Sequence, residues 1–298
     1  MEPSKHVQTK SAIERLLRDA GLRPRTSLGQ HFLIDGNLMR RIVDAAEIAP
    51  SDWVIEVGCG TGGLTDLLTQ RAARVIGVEI DRHLAALLRD RFVDANNFTL
   101  IEGDALNGKH KLHGALIEAL HDARAGGVRV ALVANLPYHV ATPLVMNLLL
   151  DYPVVRRLTF TVQAEVGDRL SASPGGKTYG PLSIVAQTAA SVGLVARLGP
   201  QVFWPRPAVD SVMMRLDVIE NPLGEPDALR RLASFTHGVF DHRRKTLRSA
   251  LGYVVDDAVR DAICREFDGG QRPERFSKEE WRRMVEMAKE SSQDIRLG

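Results

Sequence analysis

The sequence predicts an α/β fold, in which a parallel, doubly wound sheet is followed by a smaller all-α C-terminal domain. Short, nearly continuous apolar runs are typical of strands that are buried on both faces. Helical patterns alternate with these runs, and such alternation indicates parallel strands joined by helices. Beyond a stretch rich in helix breakers, the patterns are helical only. A length of 298 residues suits one large domain or two ordinary ones.

Two short helices and a loop are predicted before the sheet. Ser11-Ala-Ile-Glu14 has the form of a capping box and predicts a helix through Leu17. Residues 22–36 contain one proline and two glycines and predict a loop. Residues 37–47 carry their apolar side chains on one helical face and predict a second helix.

Five apolar runs predict the strands of the sheet, at residues 53–57, 74–80, 98–102, 128–136 and 158–162. Helical patterns lie between them, for example at residues 63–70 and 82–92. Two later runs, at residues 191–197 and 211–218, could complete the sheet.

A linker is predicted at residues 220–226, which read Glu-Asn-Pro-Leu-Gly-Glu-Pro. Helical patterns follow it at residues 227–240, 243–253, 256–266 and 278–290. We therefore expect a first domain of residues 1–220 and a helical domain of residues 221–298.

Composition indicates a soluble protein of the cytoplasm. A hydrophobic fraction of 44% and a charged fraction of 26% are ordinary for such proteins. Cys59 and Cys264 have no Cys or His at metal-like spacing, so neither a metal site nor a disulfide is expected. The first ten residues lack the apolar core of a signal peptide, and no apolar run is long enough to span a membrane.

Charge is unevenly distributed along the chain. Residues 42–155 hold 9 Lys or Arg against 14 Asp or Glu, whereas residues 1–41 hold 8 against 4 and residues 156–298 hold 22 against 19. A polyanion would therefore meet the two basic flanks. The densest cationic cluster consists of Arg243, Arg244, Lys245 and Arg248, and a second set consists of Lys5, Lys10, Arg15, Arg18, Arg23 and Arg25.

The predicted helix at residues 243–253 places Arg244 and Arg248 on one face, four residues apart. Contact with phosphate groups and an ordinary solvated face are both open interpretations of this cluster.

A glycine-rich turn joins the first strand to its helix and indicates a nucleotide-like cofactor. Gly58, Gly60 and Gly63 match G-x-G-x-x-G, and Glu79 lies 21 residues after Gly58, at the end of the second strand. An acid there is suited to accept hydrogen bonds from ribose hydroxyls. The pattern fits a dinucleotide, as in dehydrogenases, and it also fits S-adenosylmethionine.

Two acids favour S-adenosylmethionine. Glu56 stands two residues before Gly58, where it would attract a cationic sulfonium and repel a pyrophosphate. Asp104 follows the third strand and could accept from the adenine amine of the cofactor. The carboxyl ends of parallel strands meet at the edge where open α/β sheets bind ligands.

Residues 135–143, Asn-Leu-Pro-Tyr-His-Val-Ala-Thr-Pro, are suited to hold a flat ring that bears an amino group. The side-chain oxygen of Asn135 and the backbone carbonyl of Leu136 can accept from the amine, and Tyr138 can stack on the ring. A simple turn from strand to helix is the alternative interpretation.

In their order and spacing these motifs resemble those of the small-subunit ribosomal RNA adenine dimethyltransferases, the KsgA type, over nearly the whole chain. The matching segments include Leu28-Gly-Gln-His-Phe-Leu33, the glycine turn, Val78-Glu-Ile-Asp81, Gly103-Asp-Ala-Leu106, the Asn135 turn, Phe203-Trp-Pro-Arg-Pro and Phe240-Asp-His-Arg-Arg-Lys. His31 stands where the family usually has Asn.

The resemblance implies a Rossmann-like sheet of the S-adenosylmethionine-dependent methyltransferases and assigns roles to residues. Cofactor contacts would come from His31, Leu33, Gly58, Glu79, Asp104 and Asn135. The target adenine would be held by Asn135, Leu136 and Tyr138. Phe203 would cover its other face, although packing in the core is the alternative for Phe203. Arg243, Arg244, Lys245 and Arg248 would contact RNA.

The resemblance also implies a monomer that converts two adjacent adenines of a 16S rRNA loop to N6,N6-dimethyladenine during 30S biogenesis, without a metal. Three alternatives remain open. They are a large-subunit rRNA adenine methyltransferase of the macrolide-resistance type, a nucleotide-dependent oxidoreductase, and an assembly factor without catalysis. The segment that begins at Phe240 resembles the small-subunit branch better.

Overall fold

A computed structural model describes residues 8–108, 111–225 and 227–291. The chain forms two compact units. The first consists of the described residues up to Gly167 together with Gly193–Val218, and the second of Asp168–Val192 together with the described residues from Ile219 onward. The sequence predicts residues 168–192 in the first domain, whereas contacts group them with the second unit. The division into functional domains 1–220 and 221–298 stays a prediction.

The first unit begins with elements that precede the main sheet: α1 (Lys10–Asp19), β1 (Phe32–Leu33) and α2 (Gly36–Ala45). The N-cap of α1 is Thr9, whose hydroxyl accepts a hydrogen bond from the amide of Ala12 at 3.3 Å. The capping box predicted at Ser11 is therefore wrong, because the helix has already begun there. The predicted loop contains β1, which pairs with a later two-residue strand.

The strands of the main sheet and the helices that follow them come next in the chain. They are β2 (Trp53–Val57), α3 (Gly63–Thr69), β3 (Arg74–Glu79), α4 (Arg82–Arg91), β4 (Phe98–Glu102), α5 (Gly114–Ala125), β5 (Val130–Asn135), α6 (Tyr138–Asp151), β6 (Val155–Gln163) and α7 (Ala164–Leu170). After α8 (Pro181–Ala189) come β7 (Ala190–Leu198), β8 (Phe203–Trp204) and β9 (Ser211–Val218).

The seven strands of this sheet lie in the order β4-β3-β2-β5-β6-β9-β7. The five strands from β4 to β6 are parallel, which confirms the predicted doubly wound sheet. β9 is antiparallel to β6, so the sheet is mixed at this side rather than parallel throughout. The strand order reverses between β2 and β5, and ligands of open α/β sheets bind at such a switch point.

The second unit is helical: α8, α9 (Ala228–Phe240), α10 (Leu247–Leu251), α11 (Asp257–Glu266) and α12 (Lys278–Ser291). Its core surrounds the fully buried Trp281, against which the rings of Phe235, Phe240 and Phe276 pack with centroids 5.6–6.2 Å away. The buried side chains of Tyr179 and Ile184 belong to the same core. Their packing is the physical reason why residues 168–192 group with this unit.

α10 is shorter than the predicted helix at residues 243–253. Thr246 is its N-cap, and the hydroxyl of Thr246 accepts from the amide of Ser249 at 3.4 Å. Residues 241–246 form turns and non-helical backbone, so Arg244 lies before the helix and Arg248 within it. The prediction that these two arginines share a helix face is therefore wrong. Among the described helices, none has the length and apolarity that crossing a bilayer requires.

Candidate active site

A groove of about 600 Å³ lies at the carboxyl ends of β2, β3, β4 and β5 and is called the main groove here. An inner cavity of about 450 Å³ lies beside it. The two share four lining residues, Phe32, Gly58, Gly60 and Asn135, so they adjoin each other at these residues. The size suits a cofactor with two distinct ends.

Glycine is required in the turn after β2. Gly58 and Gly60 have φ angles of +79° and +58°, which side chains disfavour. A Cβ atom on Gly58 would lie 3.1 Å from the Pro137 ring, and one on Gly60 would lie 2.9 Å from the ring of Phe32. The turn is therefore bare backbone facing the groove, where a ligand can approach closely.

Glu79 ends β3 and lines the main groove with only 4% of its surface exposed. Its carboxylate accepts from the amide of Gly60 at 2.8 Å and from the amide of Asp81 at 2.9 Å. Burial raises the pKa of Glu79, and the two backbone donors oppose that shift. Each oxygen keeps acceptor capacity for one further donor, as a pair of ribose hydroxyls would need.

Asp104 lies farther along the same groove, after β4. It is exposed, and its Oδ1 accepts from the amide of Leu106 at 3.0 Å. Ile80, which the sequence reasoning missed, lines the groove with 42% of its surface exposed. An exposed apolar side chain in a groove that also holds Glu79 and Asp104 is suited to pack on a flat ring. The position of Ile80 directly after Glu79 is the sequence feature that could have predicted its place in the groove.

Glu56 and Leu33 line the inner cavity rather than the main groove. Glu56 is 2% exposed, and its carboxylate accepts from the hydroxyl of Thr65 at 2.6 Å. Burial raises the pKa of Glu56 to about 8. A cationic ligand group in this cavity would stabilise the ionised carboxylate, whereas an anionic one would oppose it.

Asn135 ends β5, and two hydrogen bonds fix the orientation of its amide. Nδ2 donates to the carbonyl oxygen of His31 at 2.8 Å, and Oδ1 accepts from the hydroxyl of Thr161. Thr161 is the residue of β6 aligned with Asn135 in the parallel register, and it is 1% exposed. Oδ1 retains a second lone pair, because an amide oxygen has two. The sequence reasoning missed Thr161, since it is distant in sequence and belongs to no motif.

The ring of Tyr138 stacks with that of His31, with centroids 5.7 Å apart and an interplanar angle of 27°. His31 Nδ1 lies 2.7 Å from the carbonyl oxygen of Pro205 and therefore donates to it. The hydroxyl of Tyr138 is 2.9 Å from that of Ser211. Burial raises the pKa of Tyr138, so its phenol is neutral. His31 thus lines the main groove and also covers one face of Tyr138.

Leu136 and Phe203 are both buried, with 2% and 3% of their surfaces exposed. For Leu136 the expected contact is its backbone carbonyl, which side-chain burial does not affect. Phe203 pairs with Leu33 across β1 and β8 and packs in the core of the first unit. Phe203 therefore lies outside the lining of both the main groove and the inner cavity. Its placement over a bound base stays a prediction.

Three of the four cluster cations have partners in the second unit. Arg243 donates to the carbonyl oxygen of Lys177 at 3.2 Å, Lys245 donates to the hydroxyl of Tyr253, and Arg248 pairs with Asp261 at 2.8 Å. Arg244 is exposed, and within the described ranges it has no hydrogen bond, ion pair or ring contact.

The second basic set is partly paired as well. Lys10 lies 3.6 Å from Glu14, and Arg25 lies 3.7 Å from Asp81. Lys5 lies outside the described residues. No group of three or more His, Cys, Asp or Glu side chains in the described parts of the chain is arranged to hold a metal ion.

Known proteins are similar to this chain in sequence. A family model described as ribosomal RNA adenine dimethylase matches residues 21–290. A ribosomal RNA small subunit methyltransferase A of Moorella thermoacetica is 41% identical over 246 residues, which cover 83% of this chain and 85% of that protein. The protein of the same name from Shouchella clausii is 36% identical over 291 residues, covering 95% and 96% of the two chains.

Solved structures agree on the fold. A dimethyladenosine transferase from Plasmodium falciparum superposes with a TM-score of 0.70 at 23% identity and covers 85% of this chain and 96% of its own. A 23S rRNA methyltransferase, ErmE, superposes with a TM-score of 0.64 at 25% identity and covers 87% and 99%. With the family model matched over most of its length, the chain belongs to the ribosomal RNA adenine dimethylase family.

Proposed function

We propose that this protein transfers methyl groups from S-adenosylmethionine to the exocyclic N6 of adenines in small-subunit rRNA. The product would be N6,N6-dimethyladenine on two adjacent adenines of a 16S loop. The observation that carries the proposal is the amide of Asn135, which is fixed by two hydrogen bonds at the junction of the main groove and the inner cavity. The names of the relatives from Moorella and Shouchella support the small subunit as the target.

The residues present fit the cofactor. Glu79 would accept from the ribose hydroxyls, and Asp104 from the adenine amine, with Ile80 packed on the ring. Glu56 would face the cationic end from the inner cavity, beside the bare glycine turn. His31 would contact the cofactor in the main groove, and Leu33 would contact it in the inner cavity. When bound, S-adenosylmethionine supplies an electrophilic methyl group on a sulfonium.

The target amine needs activation, because its lone pair is delocalised into the adenine ring. The free lone pair of Asn135 Oδ1 and the Leu136 carbonyl would accept the two N6 hydrogens and localise the nitrogen lone pair for attack. Positioning of this kind provides much of the acceleration in transfer between two bound reactants. Tyr138 would stack on the base with the face that His31 does not cover, and would favour the positive charge that develops at N6.

Such a pocket accepts only an unstacked base, so the substrate would be a loop or a single strand of RNA. The cluster of Arg243, Arg244, Lys245 and Arg248 would bind RNA phosphates, with Arg244 the most available. We further propose that the protein acts as a monomer on the 30S precursor in the cytoplasm.

The test is methyl transfer from labelled cofactor to unmodified small and large ribosomal subunits, followed by identification of the modified nucleoside. We expect N6,N6-dimethyladenine in small-subunit rRNA only. Product confined to the large subunit would favour a 23S rRNA methyltransferase, as ErmE is described. A matched titration with NADH should show no binding; tight NADH binding without methyl transfer would support an oxidoreductase.

A further inference from the structure

Tyr253 is unusual among the aromatic side chains of the described residues, because 60% of its surface is exposed. A ring that is exposed to this extent is available for contact with a ligand. The side chain is nevertheless held in place. The ring of His242 stacks on it with centroids 3.8 Å apart and an interplanar angle of 24°.

A cation holds the hydroxyl edge of the same ring. The ammonium of Lys245 donates to the Tyr253 hydroxyl and lies 4.5 Å from the ring centroid. Although His242 stacks on the ring and Lys245 lies over it near the hydroxyl, 60% of the Tyr253 surface stays exposed, which leaves ring area for a ligand. Arg244 directly precedes Lys245 and is exposed without a partner among the described residues. A held and largely exposed aromatic ring therefore lies next to Lys245, the chain neighbour of the exposed Arg244.

We propose that Tyr253 is a stacking platform for an unpaired RNA base and that Arg244 binds a phosphate beside that base. The inference rests on the proposed function, because it takes RNA as the substrate. Aromatic rings bind single-stranded bases by stacking, without requiring a particular sequence, and basic residues alongside hold the backbone. Because His242 already holds the Tyr253 ring, less side-chain conformational entropy is lost when a base binds. The platform is distinct from the pocket at Asn135 that would receive the target adenine.

The experiment measures the affinity of the full-length protein for unmodified small subunits across a matched set of variants. Tyr253→Ala should weaken binding about 5- to 100-fold, the range found when a stacked aromatic is removed. Tyr253→Phe keeps the ring and should stay within about threefold of the parent. Ile219→Ala, at another exposed apolar side chain of the same unit, is the control and should bind like the parent.

Two further readouts separate stacking from other effects. The slope of log K against log salt should be the same for Tyr253→Ala and the parent, because stacking releases no counterions. The affinity for S-adenosylmethionine should also be unchanged. Equal binding by Tyr253→Ala and the parent would overturn the platform, and so would a Tyr253→Phe variant as weak as Tyr253→Ala. A parent that neither binds nor methylates small subunits would refute the proposed function itself, and the platform with it.

Discussion

At the scale of single residues, the site depends on how a few polar groups are held. Glu79 and Asn135 occupy strand ends that the sequence identified in advance. Their partners are different in kind: Thr161 and the carbonyl of His31 come from segments that are remote in sequence. Motifs predict which side chains line a groove, whereas the bonds that orient those side chains depend on strand register. This is why Thr161 could not be predicted.

Glu79→Ala should weaken S-adenosylmethionine binding by about 2–4 kcal/mol, because two ribose hydroxyls would lose a charged acceptor. Glu102→Ala is a matched control, since Glu102 is the residue of β4 aligned with Glu79 and pairs outside the groove with Arg89 at 2.6 Å. Isothermal calorimetry checks both variants. Unchanged affinity in Glu79→Ala would contradict the assignment of this acid to the ribose.

Asn135→Ala should slow methyl transfer by about 10²–10³, the usual loss when one well-placed polar group is removed from a reacting centre. The effect should fall on the chemical step, because the Asn135 oxygen matters most as N6 becomes positively charged. Single-turnover transfer to unmodified small subunits at saturating cofactor is the measurement. A rate within about threefold of the parent would mean that Asn135 only shapes the turn.

Thr161→Val should lower the single-turnover rate about fivefold, which corresponds to one hydrogen bond of about 1 kcal/mol. Valine matches the shape of threonine but cannot donate to Asn135 Oδ1. Thr161→Ser keeps the hydroxyl and should restore most of the rate, with cofactor affinity unchanged in both variants. If Thr161→Ser is as slow as Thr161→Val, packing rather than the hydroxyl determines the rate.

At the scale of elements, sequence patterns located the strands well. β2, β4 and β9 match the predicted runs residue for residue. Burial on both faces explains the apolar run of β2, but β4 lies at the edge of the sheet and has only Ile101 buried. The sequence predicts no range for α6, since this helix is apolar on most of its circumference and contains Pro143. α10 begins four residues later than the sequence predicts, because Thr246 is its N-cap. Caps depend on single side chains, and periodicity does not detect them.

The start of α10 changes what the cationic cluster can do. Arg244 has no partner in the described structure, whereas Arg248 is paired with Asp261. Arg244→Glu should therefore reduce RNA affinity and lower the slope of log K against log salt by about 0.7–0.9, as the loss of one phosphate contact does. Arg248→Glu should change that slope less. Filter binding across a salt series checks both variants, and identical slopes in Arg244→Glu and the parent would indicate a merely solvated arginine.

At the scale of the whole molecule, a buried acid makes stability depend on pH. The pKa of Glu56 is about 8 in the folded protein against 4.5 for an ordinary Glu, so between these values the folded state holds a proton that the unfolded state has lost. Stability must then fall as pH rises through this window, by at most about 1.4 kcal/mol per pH unit for one proton. Arg215 and Arg157 lower the pKa of Glu47 to about 2, so Glu47 changes the stability only at pH values below this window.

Glu56→Gln keeps an acceptor for Thr65 and cannot ionise, so it should flatten the fall in stability between pH 5 and pH 8, a window set by the two pKa values. Part of the fall should persist, because the pKa of Glu79 is raised as well. Denaturant unfolding of the cofactor-free protein at several pH values is the measurement. A dependence as steep as that of the parent would show that Glu56 is not the titrating group.

The helical unit draws on two separate stretches of chain, Asp168–Val192 and the residues from Ile219 onward. An exchange of the C-terminal stretch alone would therefore replace only part of this unit. Removing the later stretch would take away Trp281 and leave Tyr179 and Ile184 without their apolar surroundings. Recombination between relatives would have to transfer both stretches together. The family model accordingly matches residues of both units, since it runs from residue 21 to residue 290.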